Sequence, residues 1–255
     1  MNKEKVICVD GGNILHRAIF SYMANPQAPA TFTYMSMIVG YLRKLEVTLD
    51  DKIIIAQDYG RSWRKGLDHN YKAQRKDARE QKKDQAWWKE QYGRFDAFFI
   101  RLEPAINWQF IKIWGTEADD ILSMIARYYN KDEVIIISSD RDLEQLATFP
   151  NTKIYSPLQN KTTTKPRFKD IPFPMKILAE KIQGDISDNL LDKPSNEAEF
   201  EIRKKIVDLT QLPHEIEAPI KSELDKIIPK NIYLHKIQYP KIAERIKLLY
   251  KIGGK

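Results

Sequence analysis

The chain has 255 residues, a single cysteine, and 42 lysines and arginines against 35 aspartates and glutamates. Such a length can bury a sizeable core, and a content of 42% hydrophobic and 30% charged residues is that of a globular protein, not a disordered or fibrous one. One cysteine, Cys8, excludes an internal disulfide framework or a Cys-based zinc site and fits a reducing compartment. No apolar run approaches the ~18 residues of a membrane span, and Val6-Ile7-Cys8-Val9 is too short for a secretory leader, so a soluble, cytoplasmic protein is expected.

Val6 to Val9 reads as a buried strand stopping at Asp10-Gly11-Gly12-Asn13, with Asn13 as cap and Ile14, Leu15, Ala18, Ile19 and Tyr22 as one face of the following helix. A proline-containing loop then precedes helical spacing from Phe32 to Leu45. Lys52 to Ala56 is a second strand, ending at Gln57-Asp58. From Arg61 to about Arg94 the chain is basic: between 61 and 84 nine basic minus four acidic residues leaves five of the total net charge of +7. This stretch carries Trp63, Tyr71, Trp87, Trp88 and Tyr92 but few aliphatic residues, which predicts a projection from the body. Helix resumes by Phe95 to Leu102. Ile111 to Trp114 is a third strand, and Thr116 caps a helix over 121–129. Glu133 to Ile137 is a fourth strand, Leu143, Leu146 and Ala147 continue as helix, and Lys153 to Tyr155 is a fifth strand. Residues 160–174 read as a polar loop, 175–182 as helix, and everything after 196 as Lys/Glu/Ile/Leu-rich helices broken at Pro213, Pro219, Pro229 and Pro240. Strands alternating with helices predict a mostly parallel α/β sheet.

The carboxylates fall where such a sheet would gather them. Asp10 follows the first strand, Asp58 the second, Glu117, Asp119 and Asp120 the third, and Asp140 and Asp142 the fourth. Strand C-termini of an open parallel sheet share one edge, and ligands bind outside it. Asp185 and Asp188, three apart, can close the cluster from the side. Any one of these residues alone reads as a turn residue or a helix cap; an acidic terminator on every core strand does not. Crowded carboxylates repel unless cations neutralise them, and Mg²⁺ and Mn²⁺ prefer oxygen ligands. His16, His69, His214 and His235 are scattered and offer no rival cluster. Two ions about 4 Å apart suit phosphodiester hydrolysis by water. Gly11-Gly12 lacks the length and the following lysine of a phosphate-cradling loop, and Ser138-Ser139 has no partnered histidine nearby in sequence.

These pieces occur in a familiar order: Val9-Asp10-Gly11, Asp58, Tyr71-Lys72-Ala73-Gln74-Arg75, Glu117-Ala118-Asp119-Asp120, Ser139-Asp140-Arg141-Asp142-Leu143 and Gly184-Asp185-Ile186-Ser187-Asp188-Asn189. Over about residues 6–190 the chain resembles the flap endonuclease and 5′→3′ exonuclease family, in particular its compact bacteriophage branch with the phage ribonucleases H. The resemblance implies a PIN-like domain over 1–190, a mostly parallel sheet flanked by helices, with a basic helical arch over about 61–94 and a helical C-terminal region, 191–255, that packs on it. It implies two Mg²⁺ ions, for which Mn²⁺ substitutes: Asp10, Asp58, Glu117 and Asp119 around one, and Asp120, Asp140, Asp142, Asp185 and Asp188 serving the other. It makes Lys72 and Arg75 the pair that stabilises the scissile phosphate. Arg17, Tyr71, Arg61, Arg64, Lys65, Lys76 and Arg79 become nucleic-acid contacts, a role that a basic, aromatic-bearing stretch suits for single strands. The family's Gly-x-Gly hairpin after this last motif is missing from Leu190-Leu191-Asp192-Lys193-Pro194.

The expected function is therefore a Mg²⁺-dependent structure-specific 5′ nuclease of DNA replication or repair. Its substrate would be DNA with a 5′ flap, nick or 5′ end, or an RNA–DNA hybrid primer. The protein would be a monomer, lie in the host cytoplasm if phage-encoded, and have a sliding clamp or single-strand-binding protein as a possible partner. A non-catalytic nucleic-acid-binding accessory protein and a PIN-type endoribonuclease are the alternatives.

Overall fold

The computed structural model describes residues 4–75, 80–163, 173–229 and 231–252. Its centre is a six-stranded sheet in the order β3-β2-β1-β4-β5-β6. The strands are β1 (Lys5–Asp10), β2 (Lys52–Gln57), β3 (Gln109–Lys112), β4 (Glu133–Ile137), β5 (Thr152–Ser156) and β6 (Lys161–Thr163). The first five run parallel, as expected from the alternation of strands and helices. Strand β6, antiparallel to β5, covers that edge; it occupies part of the segment expected as loop. Strand β3 begins and ends two residues earlier than its apolar run predicts, because Gln109 pairs in register with Ile54 and the chain turns at Gly115 with φ +84°.

Central parallel strands are buried on both faces and so read as continuous β-branched runs. Their side chains alternate between two cores. Ile7, Val9, Ile53, Ile55, Ile135 and Ile137 face one layer, built from α1 (Gly11–Ala24), α2 (Ala30–Lys44), the helix Gln85–Leu102 and the helix Pro240–Leu249. Val6, Cys8, Ile54, Ala56, Val134, Ile136 and Ile154 face the other, built from the helices Ala118–Tyr128 and His214–Leu224. In chain order the one-turn helix Arg64–Leu67 is α3, Gln85–Leu102 is α4, Ala118–Tyr128 is α5, Phe173–Gln183 is α6, Glu197–Val207 is α7, His214–Leu224 is α8 and Pro240–Leu249 is α9. A third, small core joins Tyr71, Leu178 and Ile182 of α6, Leu190, and Ile206 and Val207 of α7. Among the described residues the helices after residue 190 thus build no core of their own; α7, α8 and α9 each pack into a different one of the three cores.

Two expectations are corrected here. The basic stretch is not simply a projection: Arg64, Tyr71, Trp88 and Gln91 are buried, and α4 packs Phe95, Phe98 and Phe99 into the first core. Residues 142–148 form 3₁₀ rather than α turns.

Candidate active site

Strand β1 pairs with β2 on one side and β4 on the other, so the strand order reverses at β1 and opens a crevice at its C-terminal end. Asp10 sits at that point. It caps α1 by accepting from Asn13 N at 2.9 Å, and it accepts from Ser138 Oγ, just after β4, at 2.7 Å. Burial pushes its carboxyl up to about 7, with Asp58 and Asp140 adding repulsion against those two hydrogen bonds. Asp58 follows β2 and accepts from Ala118 N at 2.7 Å, at the start of α5. A Cβ on Gly12 would stand 2.7 Å from Asp58 Oδ2, so glycine is what lets this carboxylate approach α1.

Glu117 is the N-cap of α5 in a reciprocal capping box with Asp120; Thr116, expected as cap, instead turns its hydroxyl to Ile113 O. Glu117 collects three partners: Arg64 Nη1 at 3.0 Å, Tyr71 OH at 3.0 Å and Lys72 Nζ at 2.7 Å. Burial alone would raise its carboxyl, but Lys72 and Arg64 outweigh it and hold it at about 2. The neighbouring Asp119 has the reverse environment. Burial and the repulsion of Asp140 and Asp10 raise it well above the carboxylate range.

Asp142 continues the acidic run away from Asp140: burial and Asp140 push it up to about 6. With Asp185 and Asp188 it offers carboxylate oxygens within 4.8 Å of one another. Lys181 of α6 reaches into this trio, with Nζ 2.5 Å from Asp142 and 3.2 Å from Asp188, and paired with Asp185. Burial would lower this ammonium; Asp188 and Asp142 raise it instead. The loop bearing Asp185 and Asp188 is closed by paired backbone bonds between Asp185 and Leu190 and is gripped by the start of the basic segment. Lys72 N donates to Asp188 O at 3.1 Å, Gln74 to Ile186 O at 2.6 Å and Arg75 to Ser187 O at 3.3 Å. Arg75 also lies 3.4 Å from Asp188 Oδ1.

The structure therefore brings Asp10, Asp58, Glu117, Asp119, Asp140, Asp142, Asp185 and Asp188 into one belt with Lys72 and Arg75 beside it. Asp120 is set apart. Fully buried, it binds Arg64 Nη2 at 2.8 Å, Trp63 Nε1 at 3.1 Å and Glu117 N at 2.9 Å, which is a structural duty and not an open ligand position. Arg64, expected at the substrate, is 1% exposed and serves Asp120, Glu117 and the Ile206 carbonyl. Tyr71, expected to stack on a base, is 2% exposed with its hydroxyl on Glu117. Arg17 lies against Tyr41 of α2. Arg61 is exposed and Lys65 half-exposed, while Lys76 and Arg79 lie outside the described residues. Sequence reasoning missed Lys181, Ser138 and Trp63. Lys181 carried a signal, since it stands one helical turn before Asp185.

A doubly wound sheet with acidic residues at its switch point and a basic segment clamped beside them is an arrangement that can hold cations. The family model for the 5′-3′ exonuclease N-terminal resolvase-like domain matches residues 5–171, and the chain belongs to that family. It is 27% identical over 144 residues to ribonuclease H of Enterobacteria phage T4, covering 54% of this chain and 45% of that enzyme. It is 27% identical over 155 residues to DNA polymerase I of Bacillus subtilis, covering 59% of this chain and 16% of the polymerase. The chain thus matches less than half the length of either relative. Its fold is similar to the T5 D15 protein co-crystallised with metal ions, with a TM-score of 0.60 at 18% identity over 96% of this chain and 99% of that one. It also resembles the T5 D15 flap endonuclease in a pseudo-enzyme-product complex with DNA and metal ions, with a TM-score of 0.56 at 19% identity over 96% and 89% of the two chains.

Proposed function

We propose that the chain is a divalent-metal-dependent 5′ nuclease that hydrolyses DNA at 5′ ends or flaps, with Mg²⁺ as the working ion. The observation that carries this is the belt of eight carboxylates at the β1 switch point with Lys72 planted on Glu117. So many buried acids are stable together only beside cations, and an all-oxygen donor set suits a hard ion. Lys181 supports the fit, because an ammonium already stands among Asp142, Asp185 and Asp188. Asp10, Asp58, Glu117 and Asp119 would hold one ion, and Asp140, Asp142, Asp185 and Asp188 the other. Bound ions would supply an activated water and charge for the leaving oxygen.

The remaining work falls to the chain. Lys72 and Arg75 face the acidic belt from the base of the basic segment and stabilise negative charge on the phosphate being cut. Lys72 is held with φ +54° by its bonds to Glu117 and the Asp188 carbonyl, so its ammonium is aimed before substrate arrives. The test is cleavage of a 5′-labelled flap DNA with Mg²⁺ and with chelator. Metal-dependent release of the flap is expected; binding without cleavage would make the chain an accessory protein, and preferential cutting of single-stranded RNA would make it an endoribonuclease. In the same assay Lys72→Ala is expected to slow the single-turnover rate by about 10²-fold while substrate binding changes little. Equal losses in both would reject its role at the phosphate.

Lys181 must yield its place to any ion held by Asp142, Asp185 and Asp188. Lys181→Met is expected to tighten divalent-ion binding by about tenfold, equal to ~1.4 kcal/mol, in a Mn²⁺ titration followed by electron paramagnetic resonance. Weaker binding in the variant would contradict the competition.

A further inference from the structure

We propose that Tyr59 and Trp114 form a rigid aromatic platform on which a nucleobase next to the scissile phosphate stacks. The loops after β2 and β3 are zipped together: Tyr59 N donates to Thr116 O at 3.1 Å, Gly115 N to Tyr59 O at 2.8 Å and Trp63 N to Gly115 O at 2.9 Å. These are the loops that deliver Asp58 and Glu117, so whatever else they carry is fixed relative to the acidic belt. Each presents one exposed aromatic ring. Trp114 is 70% exposed and Tyr59 42% exposed, and the two pack edge to face with centroids 5.3 Å apart.

Exposed rings on loops are ordinarily free to turn, but this pair is packed on the main chain and on each other. Gly60, at φ +77°, brings its backbone so close to the indole that a Cβ there would lie 2.7 Å from Trp114 Cε3. One face of the ring is thus pressed on the main chain while most of the side chain stays in solvent. Lys112, ion-paired with Asp96 at 2.8 Å, stands 4.8 Å from the Tyr59 ring centre, and a recess of about 250 Å³ lined by Gly12, Asp58, Tyr59, Tyr92, Asp96 and Lys112 opens alongside. A held, exposed aromatic pair flanked by a cation matches the chemistry of single-strand binding, where rings stack bases and cations meet phosphates. Tyr59 directly follows Asp58, and adjacent Cα atoms lie about 3.8 Å apart. Asp58 and Tyr59 also line the same recess, so a base stacked here belongs to a nucleotide close to the acidic belt, and nucleic acid is the occupant to which we commit. This reading rests on the nuclease function.

The test uses a 5′-flap DNA with 2-aminopurine placed in turn at nucleotides flanking the branch, bound in chelator, alongside cleavage kinetics in Mg²⁺. The wild-type protein is expected to change the probe's fluorescence at one position. Trp114→Ala should abolish that change and raise KM about tenfold, with kcat little altered and the thermal midpoint preserved; Trp114→Phe should restore both. Tyr59→Ala should give the same pattern, more weakly. If the alanine variants keep wild-type fluorescence and KM, the platform is refuted and the patch faces something other than nucleic acid. A loss that Trp114→Phe does not restore, or one accompanied by a lower thermal midpoint, also refutes it. If the wild-type protein neither binds nor cuts the DNA, it is the nuclease reading that fails.

Discussion

Asp10→Asn is expected to lower single-turnover cleavage on the order of 10³-fold, equal to ~4 kcal/mol of transition-state stabilisation, without harming the fold. Asparagine can still cap α1 through its side-chain oxygen, as Asp10 does toward Asn13. The change also removes a buried negative charge crowded by Asp58 and Asp140. In chelator the thermal midpoint should therefore be no lower than that of the wild-type protein, whereas the rise on adding Mg²⁺ should shrink, since a ligand that binds only the folded state stabilises it by mass action. Retained cleavage, or an unchanged response to Mg²⁺, would remove Asp10 from the proposed centre.

Arg64→Ala carries the largest expected effect on stability, a loss of about 3–5 kcal/mol measured by denaturant unfolding. The guanidinium is 1% exposed and divides its nitrogens among Glu117, Asp120 and Ile206 O. Removing it leaves the fully buried Asp120 carboxylate with only Trp63 Nε1 and Glu117 N as partners and no cation. Arg64→Lys should recover only part, because an ammonium cannot reproduce the planar fork that spans these partners. A loss within the ~1 kcal/mol of a surface pair would show that Asp120 finds other compensation.

These two residues mark the boundary of what the sequence reveals. Asp10 was readable because its meaning lies in position: a β-branched run ends, an acid follows, and the same happens after β2 and β4. Parallel pairing turns that pattern into convergence without further information. Arg64 was not readable. It lies in a run of cations, where charge alone argues for solvent, and its burial depends on Glu117, Asp120 and Ile206, all at least fifty residues away. Asp119 and Asp120 show the same limit at finer scale. Consecutive residues in a helix point about 100° apart, so only one can face the belt, and spacing does not say which. Strand β6 is not legible because the polar tripeptide Lys161-Thr162-Thr163 carries no apolar alternation; it becomes a strand only because β5 offers an open edge. Lys181 stands one helical turn before Asp185, but lysines are frequent in this chain and spacing alone does not single it out.

The bond from Arg64 Nε to the carbonyl of Ile206 ties the acidic edge to a helix more than a hundred residues downstream. The half that carries the acidic belt is therefore not expected to fold as a detachable module. A shortened protein ending near residue 190 would keep every acid of the belt yet lose the acceptor that seats Arg64, along with Ile206 and Val207 beneath Tyr71. Any shortened form that is to keep Arg64 seated must retain the segment through α7.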